Sequence, residues 1–202
     1  DKALIEVFRS GGNFHSSIAK TVFKLNCEVE DVASLFSKER QAAKAVTFGI
    51  MYGAGPKKIS EQVTKDSGSY FSQQEAKEVI DDYFQSFFQL KNWIQNNHKF
   101  IEQNGFVYSF FGRKRRLPNV KSSDAGIKSH SIRSGLNFLV QSTASDINLL
   151  GAIDMQAYLK ATKSKARIFA LVHDSILAEV PISEVDGYCE QLEQYIQMDR
   201  GI

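Results

Sequence analysis

Four side chains that could bind a nucleotide follow one another at intervals of four residues: Arg40, Lys44, Phe48 and Tyr52. At about 100° per residue they share one face of a helix. An arginine and a lysine on adjacent turns can bind a chain of phosphates, the arginine as a planar fork and the lysine as a point charge. Phenylalanine and tyrosine rings offer flat surfaces on which a sugar or base can stack. A solvated basic helix whose aromatic rings are covered by another element explains the spacing equally well.

The helix that must carry these side chains has recognisable ends. Ser37 fits an N-cap, and Glu39 lies in the first turn, where a negative charge suits the helix dipole. The segment Gly53-Ala-Gly55-Pro56 ends the helix, because these residues do not continue it. The opposite face collects small and apolar residues that predict a core contact: Ala42, Ala43, Val46, Gly49 and Ile50. Gly49 and Gly53 would also let a backbone or a ligand approach closely.

The pattern R-x-x-x-K-x-x-x-F-G-x-x-Y-G resembles the nucleotide-binding helix of the fingers in family A DNA polymerases, the bacterial DNA polymerase I type. The resemblance extends over nearly the whole chain. It implies that Arg40 and Lys44 hold the triphosphate of the incoming nucleotide and assist catalysis. Phe48 would lie against the sugar and base, and Tyr52 would stack at the templating position. A phenylalanine at this position further implies rejection of dideoxynucleotides, which a tyrosine would relax.

His15 is a second candidate for a phosphate contact. Asn13 could cap a helix over residues 14–23, and His15 then falls in the first turn, where free amides and the helix dipole favour an anion. A lone histidine at such a place is usually only a surface residue. The family resemblance, carried here by Gly-Gly-Asn-Phe-His before the motif helix, implies that His15 contacts the nucleotide phosphates.

A predicted hairpin presents a carboxylate at its tip. Residues 168–172 and 176–180 are apolar strands separated by His173-Asp174-Ser175. Turn chemistry alone explains an aspartate here, yet a carboxylate fixed at a strand end also suits Mg²⁺. The run Leu-Val-His-Asp resembles the third motif of the family, which implies that His173 lies near the primer end and that Asp174 binds the two Mg²⁺ ions. The family usually has Glu where this chain has Ser175.

A basic segment follows the predicted strand over residues 106–111. Between positions 112 and 133 there are seven Lys or Arg residues against one acid, Asp124. Such a run is commonly a solvated loop, although its serines and turn also suit phosphate contacts. In the family the corresponding Gly-Arg-x-Arg segment lies near the template. The resemblance therefore implies that the loop over 112–128 contacts DNA through Arg113, Arg115 and Arg116, and it favours nucleic acid over a membrane surface.

A long helix is predicted over residues 129–159, with Arg133, Asn137 and Gln141 in one polar stripe. Polar residues in a helical stripe are normally unremarkable. The run R-x-x-x-N-x-x-x-Q-x-T-A-x-D-I, however, matches the palm helix of the family that contacts primer and template. These three side chains would contact the minor groove or the backbone. Such contacts suit a polymerase, because the minor-groove acceptors of A·T and T·A pairs look alike.

Length and composition limit the classes of protein to which this chain can belong. The chain has 202 residues, is 43% hydrophobic and 24% charged, and carries a net charge of +2, as an ordinary globular protein would. No apolar run is long enough for a membrane helix. Cys27 and Cys189 match no metal or redox spacing, so a cytoplasmic setting is expected, the host cytoplasm if the source is a virus. The start at Asp1, without methionine, predicts a fragment of a longer protein. The family resemblance implies that the first catalytic motif lies upstream of residue 1, so we expect the fragment to be inactive alone.

These observations predict an α+β fold. A helical fingers subdomain would span residues 1–105. It would include one long helix from 73 to about 101, which the capping-box spacing of Ser72 and Glu75 opens. A partial palm with a short antiparallel sheet and the hairpin would span 106–202. The expected function is template-directed DNA synthesis by a monomer that uses dNTPs, primer-template DNA and two Mg²⁺ ions. We expect no membrane partner.

Two alternatives stay open from the sequence. A single-subunit RNA polymerase of the phage type shares the Arg, Lys and Tyr-Gly of the motif helix and commonly has His-Asp-Ser at the hairpin. Phe48-Gly49 and the Gln141-Ser-Thr-Ala run argue against it. A non-catalytic nucleic-acid-binding module would explain the basic loop and helices. Asp174 at a hairpin tip would have no purpose in such a module.

Overall fold

The computed structural model describes residues 1–9, 13–51 and 53–201, together forming the predicted α+β fold. Two short antiparallel sheets accompany the helices: β1 (Phe106–Tyr108) with β2 (Lys114–Arg116), and β3 (Arg167–Val172) with β4 (Ser175–Glu179). The α-helices of the described ranges are α1 (Lys2–Arg9), α2 (Phe14–Phe23), α3 (Val32–Leu35), α4 (Ser37–Met51), α5 (Pro56–Ser67), α6 (Gln73–Ser86), α7 (Phe88–Asn104), α8 (Ala125–Thr162) and α9 (Val185–Gln197). Tyr52 lies outside the described residues. Within these ranges no helix combines the length and apolar character needed to cross a membrane.

The chain packs as two compact units. The first contains residues 1–105 together with 117–137, and the second contains 106–116 together with the chain from 138 onwards. Within the first unit, α8 approaches its neighbours closely at Gly135, where a Cβ would lie 2.5 Å from Cδ1 of Leu117 and 3.0 Å from Cδ1 of Ile101. The predicted division into fingers and palm at residue 105 stays a prediction. The two compact units do not correspond to a single cut there, because residues 117–137 group with the first unit.

The helix α4 lies at the centre of the first unit, packed on α2, α5 and α6. Its predicted core face is confirmed, because Ala42, Ala43 and Val46 are fully buried and Ile50 nearly so. Gly49 also lies on this face as predicted. A Cβ at Gly49 would lie 2.4 Å from Cδ1 of Ile59, so a core side chain of α5 approaches this glycine closely.

The long helix predicted from residue 73 to 101 is wrong, because the chain breaks it into α6 and α7 at Phe87. Phe87 adopts φ −121° and ψ 56° and is fully buried. The backbone amides of Gln89 and Leu90 donate to Oδ2 of Asp1, at 3.0 and 3.1 Å, which supplies the start of α7 with a side-chain cap. The capping box of Ser72 and Glu75 at the start of α6 is confirmed.

The second unit contains both sheets. The predicted hairpin is present as β3 and β4, whose register pairs Val172 with Ser175 across a two-residue turn. The first strand is shorter than predicted, since β1 ends at Tyr108, and part of the expected basic loop is strand β2. The core of the unit consists of Met155 and Leu159 of α8 with Ala166 and Tyr188. The helix α8 is longer than the predicted 129–159, and its first part belongs to the first unit.

Candidate nucleotide and metal sites

Arg40 is fixed at the N-terminus of α2 by two hydrogen bonds. Its Nε donates to Oγ of Ser16 at 3.2 Å, and a terminal nitrogen donates to Oδ1 of Asn13 at 3.3 Å. Asn13 is the predicted N-cap of α2, and the same Oδ1 accepts the backbone amide of Ser16. A guanidinium is therefore added to a helix end whose free amides already attract an anion. Both partners of Arg40 are neutral, so its positive charge is left to act on a ligand.

His15 lies beside this guanidinium. Burial is the main cause that lowers the pKa of His15 from its ordinary value of 6.5, and the positive charges of Arg40 and Lys44 lower it further. Its Nδ1 is buried and has no hydrogen-bond partner among the described residues. Three basic side chains thus converge at a place where the protein itself disfavours protonation of the histidine. A bound anion would reverse that preference.

Lys44 and Phe48 continue the same face of α4. Phe48 is 53% exposed, and its ring centroid lies 5.4 Å from that of His15. Lys44 and Phe48 line a groove of about 320 Å³ between α4 and α5. Its other walls are Ala45, Gly49, Ala54, Lys58, Ile59, Gln62 and Asp66. The prediction that Phe48 faces away from the core is confirmed, whereas Tyr52 lies outside the described residues.

Arg133 packs against the end of α4. Gly53 has φ +67°, and a Cβ there would lie only 2.2 Å from Cδ of Arg133, so the close approach predicted at Gly53 is made by this arginine stem. The guanidinium donates to Oγ of Ser129 at 2.6 Å. Asn137, one turn further along α8, is half-buried, and Gln141 is exposed. The structure does not test their expected contacts with DNA.

Three cations on and before β2, namely Arg113, Lys114 and Arg115, have partners within the second unit. A terminal nitrogen of Arg113 lies 2.6 Å from Oδ1 of Asp146. Lys114 stands over the ring of Phe106, 3.9 Å from its centroid, and Arg115 lies 5.3 Å from the ring centroid of Phe138. Arg116 is exposed at the end of the strand. These cations differ in their surroundings, although the sequence presented them as one run.

The hairpin between β3 and β4 presents Asp174 to solvent. His173 adopts φ +55°, the left-handed conformation that a two-residue hairpin turn requires, and both His173 and Asp174 are exposed. Nδ2 of Asn148 in α8 donates to the backbone carbonyl of Asp174 at 3.1 Å and fixes the turn. Among the described residues no group of three or more potential ligands could hold a metal ion. The oxygen chemistry of Asp174 fits Mg²⁺, but the tip supplies a single carboxylate.

Comparison with known proteins decides the family. The family model of DNA polymerase family A matches residues 1–201. The chain belongs to DNA polymerase family A. The DNA polymerase of Escherichia phage T5 is 46% identical and aligns with 94% of this chain and 24% of its own length. DNA polymerase I of Caldicellulosiruptor bescii is 33% identical over 92% of this chain and 21% of its own length. The chain thus spans about a quarter of the phage relative.

A solved structure of the same kind shares the fold. The POL domain of Pol1 from M. smegmatis, in complex with DNA primer-template and dNTP, superposes with a TM-score of 0.83 at 26% identity. The match covers 97% of this chain and 33% of the mycobacterial chain. The motif helix α4 therefore belongs to a chain of DNA polymerase family A.

Sequence reasoning missed three polar residues that contact the candidate site residues of this chain. Ser16 helps to orient Arg40, Asp146 pairs with Arg113, and Asn148 holds the turn of Asp174. Asn148 had a visible signal, since it lies two turns beyond Gln141 and extends the polar stripe of α8. Asp146 is part of the motif run but gave no sign of its partner, because ion pairs between distant segments leave no local pattern.

Proposed function

We propose that the complete protein containing this chain catalyses template-directed DNA synthesis, joining a dNTP to the 3′-hydroxyl of a primer on DNA. The observation that carries the proposal is the convergence of His15, Arg40 and Lys44 beside the exposed ring of Phe48. This arrangement suits a triphosphate attached to a flat, partly apolar group. Membership of the family and the similarity to a polymerase domain bound to DNA primer-template and dNTP support it.

Arg40 and Lys44 act on the phosphates. Negative charge builds on the leaving pyrophosphate during nucleotidyl transfer, and cations placed in advance stabilise that charge without reorganisation. The hydrogen bonds of Arg40 to Asn13 and Ser16 provide this placement. His15 adds a donor to the phosphates when it is protonated. Phe48 supports the sugar and base, and Tyr52 stacks at the templating position.

Asp174 would hold Mg²⁺ through its exposed carboxylate, with the turn fixed by Asn148. When bound, two Mg²⁺ ions would activate the primer hydroxyl and neutralise the pyrophosphate. Ser175 cannot add a carboxylate to the tip, so further oxygen ligands must come from elsewhere in the complete protein. The contribution of the described residues is one charged ligand on a rigid two-residue turn.

Primer-template DNA is the proposed macromolecular partner. Arg115 and Arg116 would contact phosphates, and His173 would lie near the primer end. Arg133, Asn137 and Gln141 would contact the minor groove or the backbone. Hydrogen-bond donors in the minor groove can contact correct base pairs without reading their sequence, because the acceptors of A·T and T·A pairs look alike there. We further propose a monomer without a membrane partner, located in the cytoplasm, or in the host cytoplasm if the source is viral.

Nucleotide competition tests the proposal. The complete protein, with Mg²⁺ and a primed DNA template, should extend the primer with dNTPs and strongly disfavour ribonucleotides. Phe48→Tyr should raise dideoxynucleotide incorporation relative to dNTP by roughly tenfold or more, because the added hydroxyl can replace a hydrogen bond that the missing 3′-hydroxyl would make. Phe88→Tyr, which adds a hydroxyl to another exposed phenylalanine of the first unit, is the control.

Three results would contradict the proposal. Primer-independent synthesis from ribonucleotides would indicate an RNA polymerase. DNA binding without any extension would indicate a binding module. An unchanged dideoxynucleotide ratio in Phe48→Tyr would show that Phe48 does not contact the sugar of the nucleotide.

A further inference from the structure

Asp146 is a buried carboxylate whose described ion-pair partner is Arg113. Asp146 is only 8% exposed, and its Oδ1 lies 2.6 Å from a terminal nitrogen of Arg113. Oδ2 is also buried and has no hydrogen-bond partner among the described residues. A carboxylate withdrawn from water in this way depends on its cation, because an uncompensated buried charge strongly destabilises the folded state.

Arg113 closes a tight turn between β1 and β2. The backbone amide of Ser109 donates to the carbonyl of Arg113 at 2.8 Å, and the backbone amide of Arg113 donates to Oγ of Ser109 at 3.0 Å. Ser109 is only 4% exposed. Both ends of the turn are therefore joined to each other, and the side chain of Arg113 fastens the turn to α8 through Asp146.

We infer that Arg113 is a positioning residue, which fixes the turn over residues 109–113 and the strand β2 to α8, and that it is not itself a phosphate contact. The inference rests on the proposed DNA-binding function. It removes Arg113 from the three arginines for which the sequence predicted DNA contacts. The charge of Arg113 is largely compensated by Asp146, and moving the guanidinium to a phosphate would leave the buried carboxylate without its cation. Arg116, exposed on the same strand, is free of this constraint.

A thermal double-mutant cycle in the complete protein tests the pairing. Arg113→Ala should lower Tm by about 4 °C or more, because it leaves Asp146 buried without its cation. Asp146→Asn should lower Tm less, since the half-exposed guanidinium that it leaves behind can be hydrated. In the Asp146→Asn background, Arg113→Ala should change Tm by at most about 2 °C. Arg116→Ala, the matched exposed control, should leave Tm nearly unchanged.

The salt dependence of primed-DNA binding tests the functional half of the inference, at a temperature well below every Tm. The slope of log K against log salt reports the number of phosphates that the protein neutralises. Arg116→Ala should reduce this slope by about one. Arg113→Ala and Asp146→Asn should behave alike, both leaving the slope unchanged or both reducing it through a loosened β2.

A slope reduced by about one in Arg113→Ala but not in Asp146→Asn would overturn the inference, and so would additive Tm effects in the double variant. Failure of the proposed function is distinguishable from both. If the unaltered protein binds no primed DNA, the proposed function fails, whereas the thermal cycle still decides whether Asp146 depends on Arg113.

Discussion

The candidate nucleotide-binding region, formed by His15, Arg40, Lys44 and Phe48, and the hairpin tip at Asp174 differ in how much of a site each one assembles. In the first, α2 and α4 bring together three basic side chains and an aromatic ring, and neutral partners hold Arg40 in place. The hairpin tip presents one exposed carboxylate on a two-residue turn, held by one hydrogen bond from Asn148. Both regions belong to the machinery proposed for one reaction, yet among the described residues only the first brings several basic side chains together without a ligand.

The difference has an electrostatic origin. Like charges repel, so a cluster of cations is maintained only where helix geometry holds it and where one member, here His15, can stay neutral. A metal site needs several oxygen ligands, and the described part of the hairpin offers one carboxylate. We therefore expect the first region to bind a triphosphate by itself, and the second to bind Mg²⁺ only with further ligands.

The largest expected effect comes from the hairpin. In the complete protein, Asp174→Asn should slow primer extension by about a thousandfold or more, because it removes a charged metal ligand worth several kcal/mol in the transition state. Affinity for primed DNA should stay within about twofold, measured by equilibrium binding. Asp124→Asn removes another exposed carboxylate and should be harmless, since asparagine also caps α8. Extension by Asp174→Asn within tenfold of the unaltered protein would refute a metal role.

The next largest effect is expected at Lys44 in the candidate nucleotide-binding region. Lys44→Ala should lower kcat/KM for the dNTP by about 100- to 1,000-fold, because a charged donor to the phosphates is lost, while affinity for primed DNA is unchanged. Lys58→Ala removes a second lysine that lines the same groove and serves as the control. Equal losses of DNA and nucleotide affinity in Lys44→Ala would mean that this face of α4 binds DNA.

A smaller effect is expected at Asn148. Removing its amide in Asn148→Ala should raise the Mg²⁺ concentration needed for half-maximal extension by about tenfold, because the turn that carries Asp174 is less well fixed. In the metal-free protein the amides of residues 172–175 should exchange faster with solvent. Ser145→Ala, an exposed change one turn earlier, is the control. Unchanged exchange and Mg²⁺ dependence would show that the bond does not fix the turn.

The smallest effect is the pH response of His15. Its pKa in the free protein should lie below 6.5, and folding stability should be lost as the pH falls through that ordinary value, because the unfolded chain binds the proton more readily. Triphosphate favours the protonated ring, so nucleotide affinity should rise by about threefold between pH 8 and 6. The rise should be absent in His15→Gln. An NMR titration of the imidazole that shows no upward pKa shift with triphosphate would contradict this coupling.

Local patterns in the sequence were sufficient for much of the fold and part of the site. The two faces of α4, the N-cap at Asn13, the capping box at Ser72 and the hairpin around Asp174 were all predicted. Each depends on residues within one or two turns of one another, where helix period, caps and strand pairing act directly. The motif spacing also identified the family, and four of its six fixed positions, Arg40, Lys44, Phe48 and Gly49, lie on α4.

Only the tertiary structure decided which distant groups meet. The break at Phe87 interrupts a segment with continuous helical periodicity, and it is stabilised by burial of that ring and by capping from Asp1, 88 positions from Gln89. The partners of Arg40, Arg113 and Asp174 likewise come from other elements. Such contacts depend on how elements pack and on which polar groups lose water. The spacing of residues within one element predicts neither. The sequence determined the elements and the chemistry they carry, and packing determined how that chemistry is held.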